Sequence, residues 1–174
     1  VAKEITCGPV WVVHRLDMET SGVVIFAKTE DSAAKLCAQF ATRRVEKKYL
    51  AEVTRKVGNS LTRISNCIRP DWGNRPYQIV DDDGGKACET EVKILEVRCA
   101  QGEDAHTTLL QLSPKTGRTH QLRVHMAHVG HSILGDSLYA SPEIYAASPN
   151  LRLHAHSLQF DHPISGNRVE CVSD

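Results

Sequence analysis

The alternation of apolar and polar residues predicts a chain built mostly of strands. Residues 11–13 and 22–27 are runs of β-branched and aromatic residues, which are typical of strands. Further candidate strands lie at residues 49–53, 87–99, 107–112 and 151–155. The last of these alternates with a period of two, as a half-buried strand does.

Helical spacing of apolar residues is rarer. The first predicted helix is capped by Asp31 or Ser32 and runs to about Thr42. The second begins with Thr119 as its capping residue and stops at Gly130, since glycine commonly ends helices.

Two segments have weaker patterns. Residues 141–150 predict a short helix, whereas residues 59–85 are rich in turn-forming residues and predict a long loop or a hairpin insertion. Strands outnumber helices, so the predicted fold class is α+β.

Composition is that of an ordinary globular domain. The chain has 174 residues, of which 41% are hydrophobic and 24% charged. No apolar run approaches the ~20 residues that a membrane span requires. The six cysteines show no CxxC pair or metal-ligand spacing, which predicts reduced thiols and an intracellular location.

Charge is balanced overall but uneven along the chain. The 21 basic and 21 acidic residues cancel. Basic residues are in excess over residues 40–56, and acidic residues are in excess over residues 81–104. The basic stretch fits either an anion-binding face or ordinary solvated surface.

Asp17 is a candidate reactive carboxylate. It follows a predicted strand and lies near Arg15 and ahead of the Gly22 turn. A carboxylate held in its ionised form can act as a nucleophile, and a neighbouring arginine favours that form. The alternative is an aspartate that only organises a turn.

Arg118 and the pair Lys47-Lys48 are candidate anion-binding groups. Arg118 lies at the start of the second predicted helix, where N–H groups and the helix dipole already favour anions. Tyr49 follows the two lysines, and an aromatic ring beside cations suits nucleic acid. An ordinary basic helix surface and a strand tyrosine packed in the core are the alternatives.

A dense series of histidines raises the question of zinc. The series comprises His120, His125, His128, His131, His154 and His156. Its spacing is not that of H-E-x-x-H, and no carboxylate or cysteine accompanies it in order. Hydrogen-bonded histidines that pack a helix on a sheet are the favoured interpretation, and we expect no metal. Motifs for nucleotide cofactors or serine hydrolases are also absent from the sequence.

In their order, these stretches resemble the RluA family of RNA pseudouridine synthases. The matching segments are HRLDMETSGVVIFAKT at residues 14–29, KKYLAEV at 47–53, RPDWGNRP at 69–76, SPKTGRTHQLRVHMAHVGHSILGDSLY at 113–139, SPE at 141–143 and LRLHAHSLQFDHP at 151–163. The resemblance implies a mixed, mainly antiparallel sheet with a central active-site cleft.

The resemblance assigns roles to individual residues. Asp17 matches the catalytic aspartate, Tyr49 the tyrosine that stacks on the flipped base, and Arg118 the arginine that pairs with the aspartate. Arg15 matches the arginine that enters the RNA stack when the base leaves, and Arg123 is the second choice for pairing with Asp17. His14 and Leu16 frame the loop.

RNA contacts are expected from His14, Arg15, Arg43, Arg44, Lys47, Lys48, Lys115 and Arg123. The expected substrate is a stem-loop of transfer RNA, ribosomal RNA or both, recognised by shape with splayed bases. The expected reaction isomerises uridine without gain or loss of atoms, so it requires no cofactor or metal. Attack on the sugar, attack on the base and a glycal route all stay open.

Two other classes compete with this interpretation: a catalytically silent RNA-binding module on the same fold, and a zinc-dependent hydrolase. We expect residues 1–174 to form one catalytic domain and the protein to be a monomer. The family usually carries an earlier strand ahead of residue 14, and we expect that segment and the extreme C-terminus to be missing from this chain.

Overall fold

The computed structural model describes residues 8–99 and 106–173. Within these ranges the chain forms two compact units. The first contains residues up to Lys47 and those from Ala155 onward, and the second is Lys48–His154. The chain passes between the units within strand β4, Glu46–Thr54, and within strand β9, Leu153–Asp161.

The second unit is built on an antiparallel sheet in the order β4-β8-β7-β5-β6. Besides β4, its strands are β5 Arg63–Pro70, β6 Gln78–Val80, β7 Lys86–Cys99 and β8 His106–Pro114. Strand β8 alternates between half-buried and buried residues, which is the period that one covered sheet face requires. The mainly antiparallel α+β architecture is therefore confirmed.

Two helices belong to this unit: α2, Gln121–His128, and α3, Pro142–Ala146. Six consecutive residues of α2, from Gln121 to Met126, are buried. The core beneath the sheet includes Val53, Leu110, Leu112, Leu122, Met126 and Ile133. Because α2 is covered on almost all sides, the side chains near its start are held in fixed positions.

The start of α2 differs from the predicted cap. The residue before the helix is His120, in the left-handed conformation with φ of 53°, and it makes no side-chain cap bond. Thr119 is therefore not the capping residue. Gly130, with φ of 82°, does follow the end of the helix, as predicted.

The first unit contains helix α1, Glu30–Ala41, and short strands. These are β1 Trp11–Val12, β2 Ser21–Gly22, β3 Phe26–Ala27 and β10 Arg168–Val172. Strand β1 pairs with β3, whereas β2 and β10 pair with β9. Its core is formed by Ala27, Ala33, Leu36, Val45, Leu158 and Phe160.

Two predicted elements of this unit are shifted or divided. Helix α1 is capped by Thr29, whose hydroxyl accepts the N–H of Ser32 at 3.2 Å, and not by Asp31 or Ser32. The single strand predicted over residues 22–27 is divided into β2 and β3. In the second unit, residues 59–85 form the hairpin β5–β6, which was one of the two predicted alternatives. No helix among the described residues is long and apolar enough to span a membrane.

Gly135 tests how tightly the backbone packs near the end of α2. Gly135 and Gly130 both have positive φ, but only at Gly135 would an added Cβ collide with the carbonyl of Asn150. We expect Gly130→Ala to lower the free energy of unfolding by about 1–2 kcal/mol, from backbone strain alone. Gly135→Ala adds overpacking and should cost about 2–5 kcal/mol. Urea denaturation of both variants measures this, and equal losses would contradict it.

Candidate active site

The loop between β1 and β2 presents the candidate carboxylate in the first unit. Asp17 is half-buried, and its carbonyl accepts the N–H of Thr20 at 3.0 Å, which closes a turn. At the far end of the loop Gly22, with φ of 111°, lies against the backbone of Ala155, where a Cβ would collide. Arg15, on the same loop, is exposed.

His14 ties the two ends of this segment together. Its Nε2 accepts the N–H of Ile25 at 3.0 Å, across eleven residues of chain. Its ring stacks on Phe40 of α1, with centroids 4.7 Å apart and planes at 24°. Burial, with a smaller contribution from the positive charge of Lys47, lowers the pKa of His14 to about 4. The imidazole is therefore neutral at pH 7, which leaves Nε2 able to accept.

These contacts change the role expected for His14. The sequence predicted that it contacts RNA, as well as framing the loop. Its Nε2 is occupied by a backbone donor and its ring is stacked on Phe40, so the structure favours the framing role.

The cations that follow α1 differ in their surroundings. Arg43 is exposed and has φ of 60°, and Arg44 is exposed and pairs with Asp161 at 2.5 Å. Lys47 is half-buried, and its burial, followed by the charge of Arg43, lowers its pKa to about 8. Of these three cations in the first unit, Arg43 and Arg44 are exposed and Lys47 is half-buried.

The turn before α2 carries Arg118 in the second unit. Its backbone N–H donates to Oε1 of Gln121 at 3.1 Å, and the hydroxyl of Thr116 donates to the same oxygen at 2.7 Å. Nε2 of Gln121 in turn donates to the carbonyl of Glu89 at 2.9 Å and to the hydroxyl of Thr90 at 3.0 Å. The buried Gln121 amide thus fixes the turn to β7.

The guanidinium of Arg118 takes no part in these hydrogen bonds to Gln121. It is exposed, and its Nη2 lies 3.5 Å from the carbonyl of Ala87. Within the described part of the second unit, no carboxylate lies within 4.0 Å of it. Tyr49 of β4 is half-buried and packs against the core, opposite Leu112 in the β4–β8 ladder. Lys115 pairs with Glu91 at 2.6 Å and is exposed.

Arg123 corrects a prediction. Its guanidinium forms a two-pronged ion pair with Asp136, at 2.9 and 2.6 Å, and both side chains are at most 3% exposed. An arginine buried in this way cannot contact RNA phosphate. Because the guanidinium of Arg123 is already paired with Asp136, Arg123 is also excluded as the second choice for the ion pair with Asp17.

Asp136 reaches further than this pair. Its Oδ1 also accepts the N–H groups of Leu138 and Tyr139, and the guanidinium of Arg123 lies 5.4 Å from the ring centroid of Tyr139. The Tyr139 hydroxyl lies 2.7 Å from Nδ1 of His120. These contacts connect Asp136 and Tyr139, which follow α2, to His120, the residue immediately before α2.

The histidines have separate partners. His125 is buried between the hydroxyl of Thr90 at 2.9 Å and Sγ of Cys88 at 3.1 Å, and burial lowers its pKa to about 4. Burial raises the pKa of Cys88 to about 11, which makes it a poor nucleophile. His131 contacts the carbonyl of Thr54. Among the residues described, no group of three or more histidines, cysteines or carboxylates could hold a metal ion.

Sequence reasoning missed two residues that organise the site, Gln121 and Asp136. Both lie inside the quoted segment 113–139, but neither spacing nor residue type indicated their partners.

The candidates predicted from the sequence are divided between the two units. His14, Arg15 and Asp17 belong to the first unit, and Tyr49 and Arg118 to the second. The pairing of Asp17 with Arg118 therefore stays a prediction.

Comparison with known proteins assigns the chain to a family. Residues 7–128 match the family described as RNA pseudouridylate synthase. The dual-specificity RNA pseudouridine synthase RluA of Escherichia coli K12 is 43% identical over 157 residues, which cover 90% of this chain and 69% of the relative. The protein of the same name from Vibrio vulnificus is 44% identical over 154 residues, covering 88% of this chain and 61% of the relative.

Solved structures agree with the sequence relatives. Human RNA pseudouridylate synthase domain containing 1 superposes with a TM-score of 0.83 at 31% identity, covering 95% of this chain and 69% of that one. Human RNA pseudouridylate synthase domain containing 4 gives a TM-score of 0.77 at 25% identity, covering 99% and 75%. A match over most of the chain and relatives well above 30% identity lead to one conclusion: this protein belongs to the RNA pseudouridylate synthase family, whose members isomerise uridine to pseudouridine in RNA.

Proposed function

We propose that this protein isomerises uridine in stem-loops of transfer RNA, ribosomal RNA or both, with Asp17 as the reacting carboxylate. The observation that carries the proposal is the loop from β1 to β2, which holds Asp17 half-exposed between a closed turn and the His14–Ile25 bond. The name of the bacterial relatives, dual-specificity RNA pseudouridine synthase, supports more than one RNA substrate.

Arg118 is proposed as the partner of Asp17. A guanidinium beside a carboxylate keeps it ionised, and an ionised carboxylate is the form that attacks carbon or removes a proton. The fixed backbone at Arg118 and its exposed side chain, with no carboxylate nearby in its own unit, support this role.

Tyr49 and Arg15 are proposed to act on the target base. Taking a base out of its stack costs a few kcal/mol. Stacking of the extruded base on Tyr49, and occupation of its former place by Arg15, would offset part of that cost. Tyr49, or a water that it orients, is also the proposed base for the C5 proton in the last step.

RNA phosphates are proposed to contact Arg43, Arg44, Lys47, Lys48 and Lys115. Arg44 and Lys115 already pair with Asp161 and Glu91, so a phosphate would compete with these carboxylates. The Lys115–Glu91 pair is exposed and the Arg44–Asp161 pair is partly exposed, and exposed ion pairs contribute little stability. Exchange of a carboxylate for a phosphate therefore carries only a small penalty. Binding through such contacts weakens as salt rises.

Substitution of Asp17 and Arg118 tests the proposal. Asp17→Asn should abolish tritium release from RNA that contains [5-³H]uridine, while RNA affinity stays within about twofold. Arg118→Met should reduce kcat by about 10²–10³-fold, the usual effect of losing one charge-stabilising donor. Asp31→Asn and Arg98→Met are matched controls on exposed ion pairs and should turn over at the normal rate. Tritium release by Asp17→Asn at the normal rate would refute the assigned role.

His14 is proposed as a positioning residue for the Asp17 loop, and two substitutions separate its contacts. His14→Phe keeps a ring to stack on Phe40 but loses the acceptor for Ile25. His14→Gln keeps an acceptor and loses the ring. Because small displacements of a reacting group are costly, His14→Phe should lower kcat by about 10²-fold with KM unchanged, and His14→Gln should recover most of the rate. Single-turnover rates at saturating RNA measure this; a larger loss in His14→Gln would contradict it.

Lys47 makes RNA binding depend on pH. Because its pKa is lowered to about 8, the side chain is mostly charged at pH 7 and mostly neutral at pH 9. Loss of one phosphate contact should reduce the slope of log affinity against log salt by about 0.7–0.9 between these pH values. Lys47→Arg, which stays charged, should remove the change, and Lys48→Arg should not. A slope in Lys47→Arg that changes with pH as in the unmodified protein would rule out this origin.

A further inference from the structure

The loop that joins β5 to β6 exposes an indole ring with a cation stacked on it. Trp72 is 66% exposed, and the guanidinium carbon of Arg75 lies 4.6 Å from its ring centroid. Arg75 is itself exposed and has no carboxylate within 4.0 Å among residues 8–99 and 106–173. Neither residue has a role in the reaction proposed above.

The loop holds this pair with its own hydrogen bonds. Asp71 donates its N–H to the carbonyl of Tyr77, and Tyr77 donates its own to the carbonyl of Asn74, both at 2.9 Å. The Asp71 carboxylate accepts the N–H of Gly73 at 3.2 Å and the side-chain amide of Asn74 at 3.0 Å. These bonds, that of Asn74 foremost, keep the pKa of Asp71 below its usual value. A loop fixed in this way loses little freedom when it binds a ligand.

The same loop is connected to the turn that carries Arg118. Tyr77 packs edge-on against Tyr139, with ring centroids 5.8 Å apart, and the N–H of Gln78 donates to the Tyr139 hydroxyl at 2.9 Å. That hydroxyl also contacts His120, two residues beyond Arg118. The indole is thus held in a defined place relative to a proposed catalytic side chain of the same unit.

We propose that Trp72 and Arg75 form a stacking platform for an unpaired base of the substrate RNA, next to the reacting uridine and distinct from it. Trp72 offers a π-face to the base, and Arg75 offers a cation to the adjoining phosphate; this combination is the usual basis of single-strand binding. This inference rests on the proposed function for the identity of the ligand.

The surroundings of the platform favour RNA over a protein partner. A tryptophan that anchors a protein interface is normally surrounded by apolar residues that exclude water. The loop around Trp72 contains the polar or charged Asp71, Asn74 and Arg75, and its other aromatic residue, Tyr77, packs against Tyr139. An uncompensated guanidinium beside the ring matches a polyanion better than an apolar groove.

Fluorescence of Trp72 tests the platform directly. The protein contains two tryptophans, Trp11 and Trp72, so Trp11→Phe leaves Trp72 as the single reporter. Unmodified transfer RNA transcripts should quench its emission and saturate at the concentration at which filter binding also saturates. Filter binding without any change in emission would overturn the proposal.

Substitutions supply the second measurement. Trp72→Ala should raise KM and the filter-binding Kd for the same transcripts about tenfold, with kcat unchanged, and Trp72→Phe should restore most of the affinity. Arg75→Gln should reduce the salt slope by about 0.7. Tyr145→Ala, which removes an aromatic residue 53% exposed on α3, is the control and should change neither constant.

The results separate this inference from the proposed function. Tritium release by the unmodified protein, combined with an unchanged Kd in Trp72→Ala, would overturn the platform alone and leave Trp72 to a protein partner. Failure of the unmodified protein to release tritium, combined with RNA binding that requires Trp72, would overturn the proposed reaction alone. An equal loss of affinity in Tyr145→Ala would also overturn the platform.

Discussion

The buried ion pair between Arg123 and Asp136 is the constraint on which the second unit depends most. A guanidinium and a carboxylate removed from water are tolerated only when each is nearly fully hydrogen-bonded. Here the carboxylate receives two bonds from the guanidinium and two more from backbone N–H groups of the following turn. Loss of one partner would leave a buried charge, which typically costs about 3–5 kcal/mol. The pair therefore fixes both the axial position of α2 and the course of the chain after it.

Through Tyr139, the pair also fixes the positions of the turn that carries Arg118 and of the β5–β6 loop that carries Trp72. Tyr139 is held by Asp136 and by the cation of Arg123, and it contacts His120 on one side and the β5–β6 loop on the other. In the first unit, a single side chain fixes the loop that carries the proposed reacting carboxylate. There a neutral imidazole, stacked on α1, closes the segment that carries Asp17. Asp17 and Arg118 both lie on loops, and buried or half-buried polar contacts hold those loops in place.

The sequence predicted strands β4, β7, β8 and β9 because alternation reports directly on one covered face, as in β8, but it did not predict β10. It predicted the wrong cap for α2 because Gln121, inside the helix, bonds the turn from within, and no local pattern reveals that. It also misplaced Arg123, because a basic residue in the same segment as Arg118 is expected at the surface unless its partner Asp136, thirteen residues away, is known. Local sequence made Asp17 and Arg118 candidates but left a turn-forming aspartate and an ordinary basic helix surface as the alternatives. Only the family resemblance assigned their roles.

The Gln121 amide has a consequence for which sequences this turn can accept. Its oxygen receives two hydrogens and its nitrogen gives two, all inside the protein. Glutamate would present a buried negative charge to two acceptors, asparagine is one methylene too short, and leucine would remove all four hydrogen bonds and leave the N–H of Arg118 without its acceptor. Each of these three replacements fails for a different chemical reason, so the turn before α2 requires a neutral amide of this length at position 121.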